Sequence, residues 1–336
     1  MKKKQLIIPF YINHAGCPQM CVFCDQKSIS GRSRGIPEDY QIRQTINEYL
    51  KSWRGEGKKE IAFYGGSFTA VSREIQERLL NAAYPFIKNG FIDGIRISTR
   101  PDGIDESILV FCKKYRVDTI ELGIQSMDDK VLAESGRGHS AADSIKAAAL
   151  IKKNGIKLGC QLMPGLPGDS YEKSIQSALK TASLEPDFVR IYPALVISGT
   201  KMEKYYYNNK YLPLELNEAV EICAEIVNIF RERKIKVARV GLQATADLEG
   251  SVVAGPYHPS FGEMVKSHTF LNRITTLLHR HAPGDKKISI VFSPADESAI
   301  RGRKNENMRK LKNNFPQYKL NMIKRDDLTR GSLFIN

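Results

Sequence analysis

Three cysteines lie within eight residues near the start of the chain, and this run constrains the fold and chemistry more than any other stretch. The segment Cys17-Pro-Gln-Met-Cys-Val-Phe-Cys24 has the spacing C-x3-C-x2-C, and it follows a short apolar stretch at 6–11 that predicts a strand. Three thiolates on one loop can point at a single centre, and such soft ligands select zinc, Cu(I) or an iron–sulfur cluster. The sequence therefore predicts a metal-binding loop directly after a first strand.

The number of cysteines in this run distinguishes a reactive centre from a structural one. A [4Fe-4S] cluster normally has four Cys ligands, so three would leave one iron open, and an open coordination position serves chemistry. The alternative is a structural zinc with His14 as its fourth ligand. The sequence has no second C-x2-C or C-x2-H pair of the kind a zinc knuckle uses, which favours the cluster. Cys112, Cys160 and Cys223 lie far apart in apolar stretches, and we expect them to be buried small hydrophobic side chains.

The cysteine spacing, with the aromatic Phe23 before the third cysteine, resembles the signature of the radical S-adenosylmethionine (radical SAM) superfamily. The resemblance implies that Cys17, Cys21 and Cys24 hold a [4Fe-4S] cluster whose fourth iron binds the amino and carboxylate groups of SAM. It implies an enzyme that reductively cleaves SAM to a 5′-deoxyadenosyl radical, which then abstracts hydrogen from a substrate. A flavodoxin or ferredoxin is the expected electron donor.

Strands alternate with helices of ten or more residues over the first two thirds of the chain, which predicts βαβ units and a parallel sheet. The predicted strands lie at 6–11, 60–64, 94–98, 117–122, 156–161 and 188–192. About six units are fewer than the eight of a closed barrel. We therefore predict a partial, open (β/α)6 barrel of the radical SAM type over residues 1–236, with the active site at the carboxyl ends of its strands.

The pattern changes after residue 237. Residues 238–259 are rich in glycine and turn formers, and they precede a predicted helix (261–279), strand (287–292), helix (297–313) and strand (318–323). We predict a small C-terminal α/β appendage over 237–336. The strongly basic stretch at 301–325 is either a solvated helix face or a surface that docks a polyanion.

The predicted second and fifth strands each run into a loop of small and turn-forming residues. In Gly65-Gly-Ser-Phe-Thr69 the glycines allow close backbone approach to a ligand. This motif resembles the radical SAM glycine motif, in the form found in the catalytic subunit of Elongator, and the resemblance implies that Gly65, Gly66 and Ser67 bind the methionine part of SAM. Residues 161–169 form a rigid loop, in which the resemblance places Pro164 and Gly165 against the adenine.

Polar residues end the third and fourth strands. Arg100 is expected to face the site, whereas Asp102 is expected to cap the helix that starts at about residue 104. A buried Glu at a strand end needs a partner. The resemblance implies that Glu121 or Gln125 contacts the SAM ribose and that Arg137 reaches the SAM carboxylate.

Residues 190–201 resemble the Elongator subunit most closely, and there the resemblance places a basic residue and Tyr192 on the cavity. The tyrosines at 205–207 and Tyr211 either stack on substrate bases or form a hydrophobic lid. A more distant resemblance is to oxygen-independent coproporphyrinogen oxidase, from which the chain departs in the residues before Cys17. At 336 residues, the chain leaves no room for the acetyltransferase domain of Elongator, which argues against acetyl-CoA-dependent chemistry.

The charge balance points to an anionic partner. The chain has 51 Lys and Arg against 37 Asp and Glu, a net charge of +14. We therefore expect a tRNA or other RNA substrate first, and a small anionic metabolite or tetrapyrrole second. A non-catalytic, zinc-containing RNA-binding protein is the alternative outside enzymes. The sequence has no apolar run of the roughly 20 residues a membrane helix needs and no signal peptide, which predicts a cytoplasmic protein with no membrane contact.

Overall fold

The computed structural model describes residues 5–12, 15–17, 21–25, 35–281 and 286–336. Within these ranges seven strands form a parallel sheet, in which each strand lies beside the next one along the chain. Its strands are Leu6–Tyr11 (β1), Lys59–Tyr64 (β2), Gly94–Thr99 (β3), Val117–Gln125 (β4), Lys157–Leu162 (β5), Phe188–Ile191 (β6) and Lys236–Val240 (β8). The remaining strands are Val196–Ile197 (β7), Val252–Ala254 (β9), Lys287–Phe292 (β10), Lys319–Lys324 (β11) and Leu333–Ile335 (β12).

Helices connect successive strands of the parallel sheet. Those up to the strand β8 are Asp39–Ser52 (α1), Arg73–Lys88 (α2), Glu106–Lys114 (α3), Asp129–Glu134 (α4), Ala141–Lys153 (α5), Tyr171–Ser183 (α6), Lys201–Tyr207 (α7) and Leu216–Glu232 (α8). Those after it are Ala246–Ser251 (α9), Phe261–Arg280 (α10), Glu297–Arg301 (α11) and Glu306–Asn314 (α12). Side chains cap several of them in the expected way; the Ser72 hydroxyl, for example, accepts a hydrogen bond from the Ile75 N–H.

The predicted fold class, an open partial barrel, is confirmed, and the sheet has one strand more than the six expected. The additional strand, Lys236–Val240, lies at the edge beside β6. Central strands such as β2 and β3 are almost wholly buried, and their buried positions are mainly apolar. The edge strand has a Lys and an Arg among five residues and is only half-buried, so its sequence lacks that signal.

The long helix α10 contributes to two hydrophobic cores. Its first turns place Phe261 and Val265 in the core of the barrel. Its later turns place Phe270, Ile274 and Leu278 in a second core, against the sheet β11-β10-β12. The division of the chain at 236/237 stays a prediction.

The predicted helix at 297–313 is wrong, because the chain turns between α11 and α12. Gly302, Lys304 and Asn305 have φ values of 71°, 49° and 61°, which end a right-handed helix. The Asn307 side-chain amide then donates to the carbonyls of Ala299 and Ile300, each at 3.2 Å. This buried amide satisfies carbonyl groups at the end of α11, so two short helices replace one long one.

Candidate active site

The first part of the cysteine loop is held against the loop that follows β2. The Ser67 N–H donates to the Ala15 carbonyl at 3.0 Å. A Cβ on Gly16 would lie 2.3 Å from the Ser67 carbonyl oxygen, and one on Gly66 would lie 2.6 Å from the carbonyl oxygens of Ala15 and Ile12. Side chains at either glycine would separate the two loops. The contact therefore gives Gly16 and Gly66 a structural reason to be glycine.

The second part of the cysteine loop is anchored on the other side of the site. The Val22 N–H donates to the Ser135 carbonyl at 3.1 Å, and the Met202 N–H donates to the Val22 carbonyl at 2.8 Å. Val22 and Phe23 are buried in one apolar cluster with Leu166. The loop is thus fixed by backbone bonds to the carboxyl end of α4 and to α7, which are far apart in the sequence.

The three thiols interact electrostatically. Burial and the neighbouring Cys21 raise the pKa of Cys17, although Arg137 and Arg100 oppose the shift. Burial, followed by Cys21 and Cys17, raises the pKa of Cys24 to about 12. Cysteines bind a metal centre as thiolates, and the positive charge of a bound metal would stabilise that form.

The donor set fits a sulfur-ligated cluster. All three cysteines are free thiols, and two arginines act on their charge. Across the described ranges, no group of three or more His, Cys, Asp or Glu side chains converges on a single metal ion. His14, the fourth ligand in the zinc alternative, lies outside the described residues.

Arg137 connects the cysteine loop to the fourth strand. Its Nη1 donates to the Cys21 Sγ at 3.2 Å, and its Nη2 donates to the Gly123 carbonyl at 2.6 Å. Its buried Nε has no hydrogen-bond partner among the described residues. One donor is therefore available to an anion beside the cysteines, while the contact of Arg137 with the SAM carboxylate stays a prediction.

Ser67 joins the glycine loop to the end of β3. Its buried hydroxyl lies 2.9 Å from the Thr99 hydroxyl and accepts from the Arg100 N–H at 3.3 Å. The side chain is thus used within the protein, and any contact of Ser67 with a ligand would have to come from its backbone or a rearranged hydroxyl. Gly65, with φ 82°, forms the turn at the end of β2.

Arg100 and Asp102 form a pair that the sequence did not predict. The Arg100 Nε and Nη2 donate to the two Asp102 carboxylate oxygens at 2.9 and 2.8 Å. Asp105, and not Asp102, caps α3, since its carboxylate accepts from the Ile108 N–H at 2.8 Å. The expected capping role of Asp102 is therefore wrong. The buried Arg100 Nη1 has no partner in the part of the chain that is described.

A buried ionic network crosses the interior of the sheet. Glu121 accepts from Arg96 Nη1 at 2.8 Å, from Arg190 Nε at 2.7 Å and from the Tyr64 hydroxyl at 3.0 Å. Arg96 Nη2 also lies 2.5 Å from the carboxylate of Glu60. These side chains come from β2, β3, β4 and β6, so the network ties four strands together.

The two side chains proposed for the ribose have different surroundings. Both carboxylate oxygens of Glu121 already accept hydrogen bonds in the network. Gln125 ends β4 with φ 69°, and its Oε1 accepts from Gln161 Nε2 at 3.1 Å, which leaves its own amide NH2 as a donor. The choice between Glu121 and Gln125 stays a prediction, and these contacts favour Gln125.

The loop after β5 is held by bonds within the protein. The Pro164 carbonyl accepts from the Ala194 N–H at 2.9 Å. The Gly165 N–H donates to Asp169 at 2.8 Å, and its carbonyl accepts from the Tyr211 hydroxyl at 2.5 Å. An adenine at Pro164 and Gly165 would therefore meet a rigid surface by van der Waals contact, because these polar groups are in use. Tyr211 is buried and supports the loop, whereas Tyr207 is 66% exposed.

His139 is buried next to Arg137. Its Nε2 lies 3.3 Å from the Ile124 carbonyl, while Ser140 caps the following helix. Burial, together with the positive charge of Arg137, lowers the pKa of His139 to about 4. The ring is therefore neutral near pH 7 and acts as a structural element at the end of β4.

Sequence reasoning missed Glu60, Tyr64 and Arg96. A signal was present, because charged residues interrupt otherwise apolar, buried strands at Glu60, Arg96 and Arg190. Charged side chains are rarely buried unless they are paired. Three such positions in one parallel sheet indicate a shared network, although not its partners.

Comparison with known proteins identifies the family. The radical SAM superfamily matches residues 12–179, half of the chain, and the radical SAM C-terminal domain matches residues 186–272. An uncharacterized protein of Methanocaldococcus jannaschii is 31% identical over 238 residues, which are 67% of this chain and 72% of that protein. The chain belongs to the radical SAM superfamily. It is an enzyme of that superfamily, whose cofactors are a [4Fe-4S] cluster and SAM.

Other similar proteins are tRNA-modifying enzymes by name. The tRNA uridine(34) acetyltransferase of Methanocaldococcus infernus is 28% identical over 298 residues, 77% of this chain and 55% of that protein. A solved structure of Elp3 from the same organism has a TM-score of 0.63 at 24% identity, covering 82% of this chain and 64% of that one, which shows the shared fold. The chain spans about half the length of that acetyltransferase. No helix in the described ranges has the length and apolar character needed to cross a membrane.

Proposed function

We propose that Cys17, Cys21 and Cys24 hold the [4Fe-4S] cluster, and that the enzyme uses SAM to modify a tRNA. The observation that carries the cluster assignment is the contact of Arg137 with the Cys21 sulfur, in a loop fixed at both ends. A cationic side chain on a buried sulfur suits a thiolate ligand. When bound, the cluster and SAM supply an electron and a 5′-deoxyadenosyl radical; a flavodoxin or ferredoxin is the proposed electron donor.

The chain's own residues would bind and orient SAM. The backbone at Gly65 and Gly66 lies beside the cysteine loop, where it would receive the methionine amino group. The unpartnered Nε of Arg137 would donate to the carboxylate. Gln125 would donate to the ribose, and the rigid loop at Pro164 and Gly165 would support the adenine. Ser67 positions the glycine loop through Thr99.

The interior of the barrel offers donors to a polar substrate. Arg190 is partly exposed, and its Nη1 lies 3.4 Å from the Tyr192 hydroxyl. Glu121 fixes the Arg190 guanidinium, so these donors keep their direction without a bound substrate. Burial raises the pKa of Tyr192, which keeps its hydroxyl protonated near pH 7. A substrate rich in hydrogen-bond acceptors, such as an RNA base, suits this lining.

Two features support tRNA as the substrate class. Residues 286–336 contain twelve Lys and Arg and five Asp and Glu, so this stretch carries +7, half of the chain's +14. Such a surplus favours binding to the phosphate backbone of a nucleic acid. Two of the similar proteins are named tRNA uridine(34) acetyltransferases. We propose a cytoplasmic location on the same grounds.

The test of the enzyme assignment begins with anaerobic reconstitution with iron and sulfide. Dithionite and SAM are then added, and 5′-deoxyadenosine is measured by chromatography. We expect 5′-deoxyadenosine only in the cluster-loaded protein. Protein that holds zinc and yields none would favour the zinc-containing RNA-binding alternative.

The substrate is tested separately. Bulk tRNA added to the reconstituted enzyme should gain a modified nucleoside, detected by mass spectrometry after digestion. Unmodified tRNA, with SAM cleavage intact, would contradict the RNA proposal and turn the search to small anionic metabolites and tetrapyrroles.

A further inference from the structure

A cavity lies away from the cysteines. Its volume is 330 Å³, within the range of about 300–1,000 Å³ typical of small-molecule sites. It is bordered by α8, β8, α10 and the loop before β12. Its apolar lining residues are Val227, Val237, Val240, Val265 and Phe270. No residue assigned above to the cluster or to SAM lines this cavity in the described part of the chain.

The charged residues of the cavity are mostly cationic. The described residues that line it include four cations, Arg231, Lys266, Arg273 and Arg330, and one carboxylate, Asp296. Asp296 is fully buried, and its Oδ1 lies 2.8 Å from Lys266 Nζ and 3.5 Å from Arg330 Nε. Its Oδ2 accepts from the Gly331 N–H at 2.5 Å. Lys266 thus neutralises the carboxylate, and the arginines remain in excess.

Arg273 and Arg231 carry this excess. The Arg273 Nη1 donates to the Gly331 carbonyl at 2.9 Å, and no carboxylate lies within 4.0 Å of its guanidinium in the described ranges. The Arg231 Nε donates to the Asn228 Oδ1 at 3.4 Å, and the Arg231 Nη2 lies 3.9 Å from the Glu232 carboxylate. Burial and the charge of Arg231 lower the pKa of Arg273 to about 10. The two like charges destabilise each other, and a bound anion would relieve that repulsion.

We propose that this cavity binds a nucleotide, with its phosphate at Arg231 and Arg273 and its apolar, planar part against the valines. Guanidinium groups match phosphate oxygens in two-point geometry. The volume and the apolar lining exceed what a simple inorganic anion needs. The ligand is either a free nucleotide or one nucleotide of an RNA strand. The proposal does not depend on the tRNA proposal, because neither SAM cleavage nor tRNA modification enters it.

Uridine 5′-monophosphate (UMP) is the probe, since it lacks the adenine that the SAM site recognises. Its binding to the cluster-loaded, full-length protein with SAM present is measured by anaerobic titration calorimetry. Arg273→Ala should weaken UMP at least about tenfold, the loss expected for a charge-assisted phosphate contact. Arg231→Ala should also weaken UMP; its side chain is 45% exposed, so this variant tests the site if Arg273→Ala fails to fold.

Arg280→Ala is the matched control. It removes the same residue type from the same helix α10, at an exposed position that does not line the cavity. Equal UMP affinity in the wild type and the Arg231 and Arg273 variants would overturn the proposal. The proposal would also be overturned if uridine alone, or inorganic phosphate alone, bound as tightly as UMP. The site would then not require both the nucleoside and the phosphate.

A ten-residue oligouridylate distinguishes a free nucleotide from one nucleotide of an RNA strand as the ligand of the cavity. If Arg231→Ala weakens the oligonucleotide as much as it weakens UMP, the cavity takes a nucleotide of an RNA strand. If only UMP depends on Arg231, the ligand is a free nucleotide. Both results support the cavity as a nucleotide site, and loss of the Arg231 dependence in both probes contradicts it.

Discussion

The barrel interior and the C-terminal segment 286–336 use the same charged residue types in opposite ways. In the interior, Arg96 pairs with Glu60 and Glu121, and the three side chains are only 8%, 1% and 7% exposed. In the C-terminal segment, the Lys310–Glu306 pair is about half exposed on both sides. A buried pair cannot lose one partner without leaving an uncompensated charge, whereas an exposed pair exchanges its partner for water. Charges in the interior therefore determine structure, and the exposed charges of the C-terminal segment are available for binding.

The largest expected effect is at the cysteines. Cys21→Ala should abolish 5′-deoxyadenosine formation, because the cluster would lose one of three proposed ligands. Cys112→Ala is the control, since Cys112 is a buried thiol in the apolar core. Chromatography of anaerobic SAM-cleavage reactions measures both. Wild-type cleavage by Cys21→Ala would show that the cysteine assignment is wrong.

Arg96→Met tests the interior network. The substitution leaves the buried carboxylates of Glu60 and Glu121 without one cation, and we expect a loss of about 3–5 kcal/mol in the free energy of unfolding. Urea denaturation followed by circular dichroism measures it. Lys310→Met, the exposed counterpart in the C-terminal segment, should leave the midpoint nearly unchanged. Similar losses in the two variants would break the distinction between buried and exposed pairs.

His139 predicts a pH dependence of stability. Its pKa is lowered from 6.5 to about 4 in the folded state, so the unfolded chain binds a proton more readily between these values. Above pH 6.5 the His139 proton therefore does not affect the free energy of unfolding. As the pH falls from 6.5 to 4, the free energy of unfolding decreases by about 3 kcal/mol. In His139→Gln, the unfolding free energy should fall less steeply over this range. Parallel curves for the two proteins would contradict the assignment.

The smallest expected effect concerns RNA binding by the C-terminal segment. The substitutions remove three exposed cations together: Arg303→Ala, Arg309→Ala and Lys312→Ala. Because each phosphate contact releases counterions, the triple variant should bind tRNA about tenfold more weakly, with a shallower salt dependence. Filter binding over a salt series measures both quantities, and SAM cleavage without tRNA should not change.

The control for the C-terminal substitutions removes an equal charge from the barrel surface. The exposed lysines chosen for it are Lys51, Lys88 and Lys113. If this control weakens tRNA binding as much as the C-terminal triple variant, the basic C-terminal segment is not a specific docking surface. General charge would then account for the affinity.

Local sequence patterns predicted the strands and helices around the site better than they predicted the side-chain contacts within it. The alternation of strands and helices from β1 to β6 indicated a parallel sheet, because parallel strands need long crossover connections. The half-polar strand Lys236–Val240 was missed, since an edge strand buries less. The turn at Gly302 was missed as well, because Asn307 stabilises it through bonds to carbonyls seven and eight residues earlier.

The sequence by itself determined the class of fold and predicted the three cysteines as cluster ligands, because strand periodicity and ligand spacing are local properties. Only the tertiary structure decided which charges meet. Arg137 contacts a sulfur 116 residues earlier, and Arg190 contacts Glu121 69 residues away. The physical reason is that a parallel sheet brings strand ends together through long crossover connections, and no local pattern encodes which side chains then face each other.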